Sequence, residues 1–273
     1  MIPTRYITQW RAHAPWLFER QIEQDLIISK ALVELFNDPL IAQSMAFRGG
    51  TALYKLFVEN PARYSEDIDL VQVKSEPIGP VLHAIHDRLD PWLGKPNVKR
   101  WAGRVTLSYR YQSEDMPQVP MRLKIEINTQ EHFTVLGLHA VPFSVASSWF
   151  NGKTDILTYH LSELLGTKLR ALYQRKKGRD LFDLWYLDSQ LSCQHEEVIN
   201  IFQYYIQQQN QSISRAQFEE NLIQKLSSPL FMKDMDPLLV SGLTWNIEEA
   251  GIHIQNKFLS LLPGESWKGK QLP

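Results

Sequence analysis

Hydrophobic and polar positions along this chain follow two periods, and the change from one to the other divides it. In residues 15–36, Leu17, Ile22, Leu26, Ala31, Leu32, Leu35 and Phe36 recur at helical intervals. Pro15 suits the first turn of that helix, and Asn37-Asp38-Pro39 ends it. Residues 1–14 carry no period and read as irregular. Leu53, Leu56 and Phe57 share one face of a short helix, and Leu82, Ile85 and Leu89 share one face of another over residues 81–89. Between and after these the period falls to two. In residues 65–71, Ile68 and Leu70 point away from Asp67 and Asp69. Residues 105–111 set Val105, Leu107, Tyr109 and Tyr111 against Thr106, Ser108 and Arg110. Residues 121–128 set Met121, Leu123, Ile125 and Ile127 against Arg122, Lys124, Glu126 and Asn128. With a short proline-bearing link between them, these two strands are expected to form an antiparallel pair. One more short strand is expected near residues 135–141.

From Leu161 the pattern turns helical. Leu164, Leu165, Leu169 and Leu172 make an apolar stripe over residues 163–176, with Ser162 as a candidate cap and Gly178 as the terminating residue. A second helix covers residues 179–187, and the tail after Pro263 reads as loose. The expected fold class is therefore α/β (α+β): a mixed-sheet domain over residues 1–155, with an N-terminal helix, followed by a mainly helical domain over residues 156–273.

Composition narrows the setting more than the chemistry. The net charge of −1 gives no global attraction to nucleic acid, so any such contact must be a local patch. The basic, tryptophan-bearing segment 91–103, with Lys95, Lys99, Arg100 and the adjacent Arg104, reads as a solvated loop, with a nucleic-acid contact as the alternative. A single cysteine, Cys193, excludes a disulfide framework within the chain and fits a reducing compartment. No run of about 18 apolar residues is present, so no membrane span is expected and the location reads as cytoplasmic. His83 and His86 lack a metalloprotease-type pattern and read as surface residues, and Asp25 reads as part of a solvated helix face.

The stretch FRGGTALYKLFVENPARYSEDIDL, residues 47–70, carries the candidate chemistry. Asp67 and Asp69 lie on one face of a strand, about 6–7 Å apart along the backbone, and raise each other's pKa unless a cation sits between them. Such a pair suits Mg²⁺, with phosphate oxygens completing the shell. Gly49 and Gly50 lie ahead of a helix whose first amides are anion donors, with Thr51 a plausible N-cap. Glu126, on the polar face of its own strand, is a candidate third carboxylate; its alternative is a salt bridge to Lys124 or Arg122.

Gly49-Gly50-Thr51-Ala52-Leu53 followed by Arg63-Tyr64-Ser65-Glu66-Asp67-Ile68-Asp69-Leu70 resembles the signature of the AbiEii/AbiGii-type nucleotidyltransferases. These are toxins of type IV toxin–antitoxin and abortive-infection systems, related to MenT-type toxins and to the DNA polymerase β-like superfamily. The wider superfamily has Gly-Ser where this chain has Gly-Gly-Thr. A second match is Lys168-Leu169-Arg170-Ala171-Leu172 through Arg179-Asp180-Leu181-Phe182-Asp183-Leu184. Motif support covers about residues 20–190.

The resemblance implies a polymerase β-like domain with its active site completed by the helical domain. It implies Mg²⁺ (or Mn²⁺) held by Asp67, Asp69 and Glu126. Gly49, Gly50, Thr51, Ser65 and Lys168 would bind the nucleotide triphosphate, with Asp183 and Asp180 completing the site. The implied reaction moves NMP from an NTP to an RNA, such as a tRNA end, or to a protein hydroxyl, with Asp69 or Asp183 assisting deprotonation. A cognate antitoxin is the implied functional partner, without a direct complex being required. The rivals are a γ-phosphotransferase using the same site, in which Ser65 is a candidate self-modification residue, and a non-catalytic nucleotide- or RNA-binding partner.

Overall fold

The computed structural model describes residues 2–269 and divides into two units, Met1–His160 and Leu161–Pro273. Residues 1 and 270–273, the last part of the tail expected to be loose, lie outside the described residues.

The first unit is a seven-stranded mixed sheet with helices: α1 (Thr4–Trp10), α2 (Glu19–Phe36), α3 (Pro39–Ser44), β1 (Met45–Arg48), α4 (Gly49–Leu56), β2 (Asp67–Gln72), α5 (Gly79–Leu93), β3 (Asn97–Trp101), β4 (Arg104–Gln112), β5 (Pro120–Asn128), β6 (Leu138–Ala146) and β7 (Asn151–Tyr159). The strand order is β3-β4-β5-β2-β1-β7-β6. β2 runs parallel to β5 and β1 parallel to β7, while the other neighbours are antiparallel. The expected β4–β5 antiparallel pair is present, and its apolar side chains Val105, Leu107, Leu123, Ile125 and Ile127 are buried. Thr158 Oγ1 donates to Phe47 O at 2.7 Å, tying β7 beside β1.

Several local expectations are corrected. Residues 4–10 form a helix rather than an irregular lead; at seven residues it is too short to show a period, and it is held by burial of Ile7 and Trp10. Helix α2 starts at Glu19, not near Pro15: Gln21 Oε1 accepts the Phe18 N–H at 3.1 Å and sets the start. Asp25 is buried, not solvated. Its carboxylate accepts from Trp10 Nε1 at 2.8 Å, Trp16 Nε1 at 3.3 Å and Lys55 Nζ at 2.6 Å, which pins α1 and α4 to α2. Residues 97–101 form an edge strand within the expected loop; both of its faces are exposed, so it shows no alternation. The strand expected near 135–141 runs from Leu138 to Ala146, and β7 follows it.

Glu23 on α2 gives a pH prediction. One carboxylate oxygen accepts the Glu114 N–H at 2.9 Å, while the other has no hydrogen-bond partner among the described residues. Burial, reinforced by Asp115, pushes its pKa up to about 7. Because the folded value lies above the unfolded one, the native state binds more protons between about pH 4.5 and 7, and stability is lost as pH rises through that window. Glu23→Gln is expected to match the wild type at pH 5 and to exceed it at pH 8 by roughly 1–3 kcal/mol. Urea denaturation at both pH values measures this.

The second unit contains α6 (Leu161–Gln174), α7 (Gly178–Gln190), α8 (His195–Gln207), α9 (Arg215–Leu226), α10 (Pro229–Met232), α11 (Ile247–Lys257) and a 3₁₀ turn at Leu259–Leu261. Its core contains Leu169, Leu172, Phe182, Phe202, Phe218 and Phe258. Helix α6 begins at Leu161, which places Ser162 inside it. Gly178 opens α7 instead of closing α6, and a side chain there would strike the backbone carbonyl of Phe231. Lys225 of α9 donates to the carbonyls of Leu172 and Tyr173, satisfying the end of α6 that has no intrahelical partner. None of the described helices is long and apolar enough to cross a membrane.

Candidate active site

In the first unit the site is built on β2. Ile68 and Leu70 enter the core, so Asp67 and Asp69 share the other face, each only partly exposed. The parallel neighbour β5 supplies the third acid in register: Asp67 lies opposite Lys124, and Asp69 lies opposite Glu126. Opposed residues of adjacent strands stand on the same face, so all three carboxylates project to one side of the sheet.

Lys124 lies among them. Its Nζ is 2.8 Å from Asp67 Oδ2 and 3.6 Å from Glu126 Oε1. Burial works against its charge, but the bond to Asp67, with Glu126 and Asp69 nearby, holds its pKa above the ordinary lysine value. Arg104 reaches Glu126 at 4.0 Å. The salt bridge foreseen for Glu126 is therefore present, and the same ammonium also neutralises Asp67.

The donor set suits a divalent cation in chemical type. Carboxylate oxygens are the ligands Mg²⁺ and Mn²⁺ take, and the backbone register puts three of them side by side. Among the described residues no group of three His, Cys, Asp or Glu side chains converges closely enough to hold an ion; here the acids are drawn onto Lys124. The residues fit in type and in strand position, with a lysine as the present counter-charge.

The glycine turn adjoins these acids. Gly49 has φ +84° and opens α4, and a Cβ on it would collide with Oδ2 of Asp69. A Cβ on Gly50 would strike the guanidinium of Arg63, a buried side chain whose Nη1 donates to Tyr64 O at 2.9 Å. Gly49→Ala is thus expected to lower stability by about 1–2 kcal/mol from the left-handed backbone alone, and to push the Asp69 carboxylate aside. Denaturant titration and an activity assay on the same sample check both effects. Thr51 is the third residue of α4, not its cap. Its hydroxyl bonds Asp67 O at 2.5 Å and Ser65 Oγ at 2.9 Å, so it ties the turn to the start of β2. A cavity of about 170 Å³ opens beside Thr51 and Ser65, walled also by Trp10, Trp16, Asp25 and Lys55.

The second unit gathers the other candidates. Lys168 of α6 places Nζ 3.1 Å from Asp180 Oδ1 and 2.9 Å from Asp183 Oδ2. Both aspartates are fully buried, on successive turns of α7. Asp180 also accepts from Arg175 Nε at 2.6 Å and Nη2 at 2.8 Å. Burial alone would raise the Asp180 pKa, but Lys168 and Arg175 outweigh it and hold the carboxyl below its usual value.

Two groups beside the acids stood outside the expected site. Arg48, at the end of β1 opposite Asp69, pairs with Glu131 at 2.7 Å. Arg63, quoted within the motif, packs its guanidinium under Gly50 and 4.9 Å from the Tyr54 ring centroid. Only the glycine's need for space signals the second, and no local pattern signals the first.

The sequence matches the family model described as nucleotidyl transferase AbiEii toxin, type IV TA system, over residues 30–251. No curated protein matches the chain. The fold is similar to that of MenT4, a nucleotidyltransferase toxin from Mycobacterium tuberculosis, with a TM-score of 0.68 and 15% identity, covering 96% of this chain and 90% of that one. It is also similar to a protein from H. pylori classed as a nucleotidyltransferase, with a TM-score of 0.58 and 18% identity, covering 90% and 96%. At these identities the two structures establish the fold.

Proposed function

The chain belongs to the AbiEii family of nucleotidyltransferase toxins of type IV toxin–antitoxin systems, and from that premise we propose that it transfers a nucleoside monophosphate from an NTP to an RNA hydroxyl, a tRNA end being the model case, with release of pyrophosphate. The observation that carries the proposal is the parallel register of β2 and β5, which aligns Asp69 with Glu126 beside Asp67, next to a glycine turn that leaves room for Asp69.

In this reading Asp67, Asp69 and Glu126 hold Mg²⁺ or Mn²⁺. The cation, once bound, supplies charge neutralisation at the transferring phosphoryl group and lowers the pKa of the attacking hydroxyl. The amides of the Gly49–Gly50 turn face the polyphosphate, and the missing side chains allow close approach. Thr51 and Ser65 fix the distance between that turn and β2. Lys124 keeps the acids together before substrate arrives and stays charged. Of the two candidate proton acceptors, Asp69 is the better placed, because it is partly exposed whereas Asp183 is fully buried against Lys168. Within the helical unit, Lys168 is proposed to neutralise nucleotide phosphate, with Asp180 and Asp183 holding its ammonium in place. The antitoxin partner is proposed on the family's account, as a functional rather than a bound partner.

The test is incubation of the purified protein with each α-labelled NTP, Mg²⁺ and total cellular RNA, resolved on a denaturing gel. Label in an RNA band, absent with Asp67→Ala, is the expected result. Label on protein alone moves the acceptor to a polypeptide. Release of nucleoside diphosphate without α-label transfer establishes γ-phosphoryl transfer instead.

A further inference from the structure

The acid face of the sheet extends beyond the acids. Following the register outward, Asp69 lies opposite Glu126, Glu126 opposite Thr106, and Thr106 opposite Lys99 on the edge strand β3. The next row on the same face runs Asn128, Arg104, Trp101. Arg110 and Arg122, opposite one another on β4 and β5, also stand on this face. Lys99, Arg110 and Arg122 are exposed and make no ion pair with any described residue. Trp101 is 51% exposed, and the Arg104 guanidinium lies 5.2 Å from its ring centroid. At about 4.8 Å per strand, Lys99 stands roughly 14 Å from Asp69.

Charge in this part of the chain has one sign. Between Asp90 and Glu114 there are five lysines and arginines and no acid, in a chain whose net charge is −1. Lysines on an edge strand guard against strand pairing, and that role is indifferent to face. Here Lys99, Arg104, Arg110 and Arg122 share the face of the acids with an open tryptophan, while Arg100 and Val98 turn to the other. The hairpin that presents them is firmly held: Thr129 N donates to Gly103 O at 3.0 Å, and a Cβ on Gly103 would collide with Gln130.

Building on the proposed reaction, we infer that this face is the acceptor platform and that its occupant is single-stranded RNA. One base stacks on Trp101, the phosphates lie along Lys99, Arg104, Arg110 and Arg122, and the terminal hydroxyl is delivered to the three acids. A flat aromatic among exposed cations, of which Lys99, Arg110 and Arg122 carry no ion pair with any described residue and Arg104 only a 4.0 Å contact with Glu126, is the chemistry that grips single-stranded nucleic acid without reading its sequence. A polypeptide acceptor would leave the cations without phosphates to neutralise.

The experiment measures binding of a labelled single-stranded RNA oligonucleotide by fluorescence anisotropy across a salt series, without NTP or metal. Full-length wild type is compared with Trp101→Ala, Lys99→Gln and Arg100→Gln, and the KM for RNA is measured in parallel. Trp101→Ala is expected to weaken binding about ten-fold. Lys99→Gln is expected to weaken binding and to reduce the salt slope by about 1. Arg100→Gln, the adjacent cation on the opposite face, stays within about two-fold of wild type because screening limits its reach. All three positions are exposed, and thermal melts confirm folding. Unchanged affinity and slope in Trp101→Ala and Lys99→Gln, or an equal effect from Arg100→Gln, overturns the platform. If RNA is labelled while both variants keep the wild-type KM, the platform falls and the reaction stands. If binding follows these expectations but no NTP labels RNA, the platform stands and the reaction falls.

Discussion

Asp69→Ala is expected to reduce nucleotidyl transfer by about a thousand-fold, about 4 kcal/mol of transition-state stabilisation at 1.36 kcal/mol per decade, while the chain stays folded. Asp69 does not contribute to the core; Ile68 and Leu70 on the opposite face do. Taking away one of three neighbouring carboxylates leaves Lys124 with Asp67 and Glu126, and leaves Arg48, whose charge Asp69 also supports, with Glu131. What is lost is a proposed cation ligand, the acid aligned with Glu126 across the strand pair. Pyrophosphate release measures the first effect, and a thermal melt the second. A third readout is independent of turnover. A cation that binds only the folded state at a hundred times its Kd stabilises by about 2.7 kcal/mol, so Mg²⁺ is expected to raise the melting temperature of the wild type but not that of Asp69→Ala. A folded variant with full activity removes Asp69 from the site. A Mg²⁺ response that persists places the cation elsewhere.

Whether a feature of this site could be read in the sequence depended on whether its cause was local. The face shared by Asp67 and Asp69 follows from strand alternation, and so does the polar position of Glu126. That Glu126 stands opposite Asp69, and not one strand further out, is a fact of pairing between distant segments, which no local pattern contains. Gly49 was visible as a glycine, but its reason for being one is the Asp69 carboxylate over its Cα. The burial of Asp25 is not local: helical period reports which side of α2 a residue occupies, not that the indoles of Trp10 and Trp16 and the ammonium of Lys55 enclose it. β3 is illegible for the opposite reason: a strand with both faces in water has no pattern to show. Its face assignment, which separates Lys99 from Arg100, exists only once the register with β4 is known.

Lys168→Met is expected to destabilise the helical unit by about 3–5 kcal/mol, because it removes the ammonium that two buried carboxylates share. Asp180 would keep Arg175, whereas Asp183 would lose the cation 2.9 Å away. The charges on the four side chains sum to zero as they stand, with Lys168 and Arg175 against Asp180 and Asp183. The double variant Lys168→Met/Asp183→Asn removes one of each sign and leaves the Arg175–Asp180 pair intact. It should therefore recover most of the lost stability, since a buried ion pair taken out whole costs far less than one broken in half. Guanidinium unfolding of the three proteins measures this. The same set separates two roles for Lys168. If its ammonium only balances the aspartates, the double variant regains nucleotidyl transfer along with its stability. If it also neutralises nucleotide phosphate, the double variant folds but keeps an elevated KM for NTP and a rate lower by about 10²–10³, the effect of losing one preorganised electrostatic donor. The shared bonding of Lys168 does not exclude the second role, because an incoming polyphosphate competes for the ammonium with Asp183, while Asp180 retains Arg175. The expected result is the second: stability returns and transfer does not.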